Sequence, residues 1–237
     1  MPGPRMAMTM TAEPNASPGL YRLLAWLSPN FPIGAFSYSH GLEAASAGGA
    51  VCDTPSLQTW IAALVAQGSG RIDADILIAA YRAAKGGQLA ALDVANRHGL
   101  AFRSTTELAL QSTQQGDAFL ATCRAAWPEA FIAEWSPDAV CHSAVFGAVA
   151  ARAGIALADA LIGYLQNFAA NLVSAGLRLG IIGQTDGQRI LAALEPVVGG
   201  AATAALTREP ADFGAATFAA DLASMAHESQ YMRLFRS

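Results

Sequence analysis

The chain is poor in charge, and its basic residues are dispersed. Asp, Glu, Lys and Arg make up only 14% of its 237 residues, and the formal net charge is −4. A typical soluble domain carries about 25%. Apart from Arg233 and Arg236 near the end, no lysine or arginine cluster stands out. That removes the electrostatic footprint needed to hold nucleic acid or an anionic membrane surface. Cysteine is scarce too. Cys52, Cys123 and Cys141 are odd in number and contain no CxxC pair, so neither a disulfide framework nor a structural zinc site is expected. A reducing compartment fits, and the cytoplasm is the expected location. The opening MPGPRMAMTMTAEPNASPG has no continuous apolar core of the signal-peptide kind, and its composition predicts a disordered leader over 1–18. The most apolar stretch, 156–182, is interrupted by Asp159, Gln166, Asn167, Asn171 and Arg178, which predicts a buried helix rather than a membrane span.

Catalytic signatures are missing as well. No GxxxxGK[ST] loop is present, and GIIGQTDG (180–187) opens a helix without the lysine that a phosphate cradle needs. AFSYSHG lacks the Gly-x-Ser-x-Gly elbow of a serine hydrolase, and Ser39 and His40, being neighbours, do not face each other on a helix. Asp73 and Asp75 also diverge on a helix and read as a solvated face. The histidines His40, His98, His142 and His227 show no i, i+3 or i, i+4 ligand spacing. No permanent metal site or cofactor is expected. His142 and His227 read as capping or buried hydrogen-bonded residues, with a transient nickel contact as their alternative role.

What is abundant is alanine and helical periodicity. Hydrophobic residues reach 53%, many of them Ala, the best helix former. Leu20, Leu23, Leu24 and Leu27 fall at i, i+3, i+4 and i+7, and Leu57, Trp60, Ile61, Leu64 and Val65 repeat the pattern. Leu161, Leu165, Phe168, Leu172 and Leu179 make a longer stripe. Thr54-Pro55 reads as an N-cap with a first-turn proline. Ser104 to Glu107 and Thr185 to Gln188 read as capping boxes. Glycines at 86–87, 154, 180, 183 and 199–200 punctuate the runs, and Pro128 and Pro137 bracket a loop around Trp135. The expected helices are 19–28, 36–47, 55–68, 71–85, 88–98, 104–126, 139–153, 156–180, 186–194 and 217–230, with a weaker one at 196–206. The predicted fold is all-α, a single-domain bundle of about ten helices over 19–237.

Two segments exceed what a helical core demands. SPNFPIGAFSYSHGLE (28–43) places a Pro-Ile-Gly turn before a helix crowded with Phe36, Tyr38 and His40. HESQYMRLFRS (227–237) sets Tyr231, Leu234 and Phe235 between Arg233 and Arg236, the aromatic-plus-arginine composition of interface hot spots.

With RLGIIGQTDGQRILAAL (178–194), these segments closely resemble the F-type urease accessory protein (UreF) family. The opening follows SP-x-x-PIGAFSYS-x-GLE, the middle RL-x-x-x-GQT-x-GQ-x-LL with Ile190 for a leucine, and the end HE-x-QY-x-RLFRS. The helix from Glu107 to Leu120 is similar to the family's EL-x-x-QS-x-QMG, but Gln115 replaces the usual Met and Asp117 a basic residue. The resemblance covers the chain from about residue 20. It implies an all-helical homodimer, not itself an enzyme, that binds a D-type (or H-type) urease accessory protein. Together these would recruit and regulate a G-type GTPase and support GTP-dependent nickel delivery to apo-urease. Carried onto this sequence, it makes Tyr231, Arg233, Leu234, Phe235 and Arg236 candidates for the D-type interface. Tyr38, His40, Glu43, Arg178 and Gln184 become candidates for partner contact or for shaping a nickel passage. A helical enzyme with an unrecognised pocket and a stand-alone nickel-binding or storage protein are the competing readings.

Overall fold

In the computed structural model of the chain, residues 18–237 are described, and Pro18 already opens the first helix. The expected leader, 1–18, lies outside the described residues except for Pro18. Those residues form eleven α-helices: α1 (Pro18–Trp26), α2 (Leu42–Ala47), α3 (Thr54–Gln67), α4 (Ser69–Lys85), α5 (Leu89–Ala101), α6 (Thr106–Ala126), α7 (Ala130–Glu134), α8 (His142–Arg152), α9 (Leu157–Arg178), α10 (Gln184–Thr207) and α11 (Phe218–Glu228). Short 3-10 turns occupy Ala35–Ser37 and Pro210–Asp212, and no strand occurs among the described residues. The expected all-α class holds.

Helix α4 is the axis. It touches α3, α5, α8, α9 and α10, and most of its residues are buried. Small residues set the distances. A Cβ on Gly147 of α8 would stand 2.4 Å from the Leu77 carbonyl oxygen of α4, and one on Gly116 of α6 would stand 2.1 Å from that of Val140. Helices approach this closely only where a side chain is missing. Around them packs one continuous apolar core, with Trp26, Phe31, Phe119 and Phe146 as an aromatic cluster at one end.

Several local expectations are corrected. The helix expected over 36–47 is broken: a 3-10 turn and extended Tyr38 precede α2, because Gly34, His40 and Gly41 all take left-handed conformations. α10 runs unbroken through Pro196 instead of stopping before it. That proline is on the exposed side, where the carbonyl it leaves unbonded can meet water. Inside the expected Trp135 loop, Glu129 caps the short α7. The caps shift by one or two residues. Asp53, not Thr54, caps α3 in a reciprocal box with Ser56, Thr105 rather than Ser104 caps α6, and α10 begins after Gly183. Asp73 and Asp75 are not a solvated face. Each is buried and paired, Asp73 with Arg103 at 2.6 Å and Asp75 with Arg208. Leu20 and Leu24 are exposed although they share a period with buried Leu23. Among the described residues α10, rather than the 156–182 stretch read as most apolar, is the helix long and apolar enough to cross a membrane (mean hydropathy 1.5). It lays Ile190, Leu194, Val198, Ala202 and Ala205 against the bundle.

Gly147→Ala is expected to cost about 1–3 kcal/mol by overpacking, read as a lower urea midpoint. Gly200 of α10 has nothing within 4 Å of an added Cβ. Gly200→Ala should therefore be neutral or stabilising by up to about 1 kcal/mol.

Candidate partner-docking site

The two unusual sequence segments meet. The Pro32-Ile33-Gly34 turn delivers the chain to Ser37–Gly41, and segment 229–237 lies along it. The Ser37 carbonyl accepts the Arg236 N–H at 2.8 Å, and the Ser39 N–H donates to the Ser237 carbonyl at 2.6 Å, as does the Ser39 hydroxyl. Gly41 (φ 77°) lets α11 sit directly on this turn, since a Cβ there would stand 2.9 Å from the Ser224 nitrogen. His40 holds φ 58° without being a glycine, an uncommon conformation for a bulky residue.

Two carboxylates lock the crossing. Glu43 of α2 accepts the backbone N–H of Leu234 at 2.7 Å and of Phe235 at 2.9 Å. Glu107 of α6 accepts Arg233 Nη1 at 2.7 Å. Between them, fully buried His227 of α11 places Nε2 3.1 Å from Glu43 and Nδ1 2.7 Å from Glu107. Each ring nitrogen thus has a carboxylate oxygen within hydrogen-bond reach. Burial works to raise the Glu43 pKa, but the Leu234 N–H, His227 and the Phe235 N–H outweigh it and hold the carboxyl below the usual range. On the far side the Arg178 guanidinium lies 4.2 Å above the Phe235 ring and donates to the Phe36 carbonyl.

The sequence candidates therefore separate by position. Tyr38, His40, Glu43 and Phe235 are buried, and Arg178, Arg233 and Arg236 are exposed but held. Tyr231 is fully exposed, Leu234 and Met232 largely so. Gln184 is exposed in the first turn of α10. The same arm of chain carries exposed Phe218, Leu222 and Met225 along α11, at i, i+4 and i+7. Sequence reasoning missed Glu107 and Ser39 as partners in this site. Glu107 looked like the end of a capping box, and only its buried position beside His227 distinguishes it. A second apolar surface lies on α1, where Leu20, Tyr21 and Leu24 face out; α1 reaches α9 through Gly163, next to exposed Ile162.

Behind the crossing is a polar chamber of about 50 Å³, lined in part by Tyr38, His40, Asp73, Arg103, His142 and Tyr164. Burial tends to raise the Asp73 pKa, but the Arg103 guanidinium overrides it and keeps the carboxyl ionised. Burial, helped by the positive charge of Arg103, lowers the pKa of both His40 and His142 to about 4, so both rings are neutral. Among the described residues no three His, Cys, Asp or Glu side chains converge well enough to hold a metal ion.

A family model described as UreF matches residues 51–195. Relatives called urease accessory protein UreF are similar nearly end to end. That of Rhodopseudomonas palustris (strain BisB5) is 45% identical over 234 residues, 98% of this chain and 96% of its own length. The Bradyrhizobium sp. (strain ORS 278) protein is 46% identical over 220 residues, 92% of each chain. That of Azorhizobium caulinodans is 45% identical, covering 97% of this chain and all of its own.

Stability should fall with acid through the chamber histidines. Their folded pKa of about 4 lies below the ordinary imidazole value of about 6.5, so between these the unfolded chain binds more protons. The contribution is complete above about pH 6.5 and is lost progressively toward pH 4, up to about 3 kcal/mol per ring. The urea midpoint should drop from pH 7.5 to pH 5, and His142→Gln, which takes up no proton, should flatten part of that slope.

Proposed function

This chain belongs to the UreF family of urease accessory proteins, and we propose that it acts in urease maturation as a non-catalytic, cytoplasmic chaperone of nickel insertion. In this reading it binds a D-type (or H-type) accessory protein, and the pair recruits and regulates a G-type GTPase for delivery of nickel to apo-urease. The observation that carries it is the buried Glu43–His227–Glu107 clamp. Two carboxylates and an imidazole are spent on fixing segment 229–237, whose outer side chains, Tyr231, Met232 and Leu234, are largely apolar and exposed. A folded monomer gains nothing from an ordered apolar face in water; a docking partner does. Phe218, Leu222 and Met225 of α11 extend the contact, and Arg233 and Arg236 supply the polar rim.

A homodimer is the second part of the proposal. Leu20, Tyr21 and Leu24 of α1 with Ile162 of α9 form the apolar face offered to a second copy. Such faces are isologous in a two-fold dimer, each patch meeting its own counterpart.

Two experiments test the parts separately. Tyr231→Asp with Leu234→Asp alters exposed side chains and leaves the clamp intact. Co-purification with the D-type protein should fall at least about tenfold, the loss of roughly 1.4 kcal/mol or more, with an unchanged circular dichroism spectrum. Undiminished binding would refute the docking assignment. Leu24→Asp with Ile162→Asp should convert the dimer to a monomer in light scattering, and a persistent dimer would refute that face.

A further inference from the structure

The polar chamber is not consumed by the docking site. It lies behind the crossing, and its occupant can be worked out from its charge, its hydrogen-bond needs and its size. Asp73 and Arg103, 2.6 Å apart, balance each other, and His40 and His142 are neutral. An ion would add an uncompensated charge to a buried space, so the occupant is neutral. The hydrogen bonds then say what it must offer. The Tyr164 hydroxyl donates its one proton to Asp73 Oδ2 at 3.2 Å, so at 3.4 Å it accepts from His142 Nδ1, and His142 Nε2 carries a bare lone pair. His40 bonds Ser69 through Nε2 at 2.7 Å, and its Nδ1 has no protein partner. The chamber needs an occupant that can both give and take a hydrogen bond. Amide side chains on its wall, Gln111, Gln115, Asn167 and Asn171, can both give and take.

We infer that the chamber binds water as a fixed part of the fold, in a cluster that bonds the open imidazole nitrogens and is anchored by the wall amides. A volume of about 50 Å³ accommodates about three to five molecules at roughly 10–15 Å³ each. The lining side chains supply polar partners of the kind an ordered water requires. The cluster explains how two neutral histidines and an ion pair coexist in a helical core. It goes beyond the accessory reading and does not depend on it.

The test is oxygen-17 magnetic relaxation dispersion on the full chain, wild type and Asn171→Leu, paired with urea unfolding. The leucine fills the chamber with an apolar side chain. The wild type should show about three to five long-lived waters that the variant largely lacks, and the variant's urea midpoint should fall despite its added apolar burial. Gln115→Met, on the opposite wall, gives the same comparison should Asn171→Leu fail to fold. Equal water counts, a more stable filled variant, or a crystal structure with an ion in the chamber would each overturn the inference.

Discussion

A buried carboxylate has to be given donors, and in this protein that requirement organises the crossing of segments 28–43 and 227–237. Glu43 takes two backbone N–H groups from segment 229–237 and an imidazole N–H from α11; Glu107 takes the other imidazole nitrogen and Arg233. Removing either carboxylate would leave the buried imidazole or two backbone amides short of a partner, each costing about 1–3 kcal/mol. The clamp therefore ties α2, α6, α11 and the last residues into one unit. Because Glu43 holds the segment through two main-chain N–H groups, it fixes the path of the segment while leaving the outer side chains free.

The same logic recurs deeper in the bundle, where the charges are fewer and the consequences different. Asp73 and Asp75 leave α4 in different directions, one to Arg103 and one to Arg208, so the central helix is pinned both to α5's trailing residues and to the connection after α10. Arg71 of the same helix holds that connection again through the Asp212 and Gly214 carbonyls. Asp75 is the less settled of the two. One of its oxygens has no protein partner, and burial raises its pKa despite Arg208. Buried pairs of this kind add little net stability, but breaking one by removing a partner is expensive.

Low charge also shapes the outside. With few ionic groups to cover it, much of the surface is alanine and glycine, and larger apolar side chains gather on α1 and on α11 with its following loop. The segment around Phe36, itself largely exposed, joins the second of these through the Arg178 contact to Phe235. Partner contact there would be felt by both segments, because they share hydrogen bonds rather than merely lying close.

Helix existence and order were legible in the sequence by themselves, because alanine propensity and apolar periodicity are local properties, read over a few turns. So were the two segments that matter, since Pro-Ile-Gly and the aromatic-arginine ending are unusual in plain composition. The tertiary structure alone decided what depends on long-range proximity. It turned Glu107 from a presumed cap into half of the clamp, and it broke the helix expected after Gly34 because α11 needed to rest on Gly41. It also moved Asp73 and Asp75 from an assumed solvated face into the interior, where arginines 30 and 133 positions away were waiting. A pattern along the chain says which side chains share a helix face, but a charge is buried or exposed according to what another, distant stretch of chain brings to it.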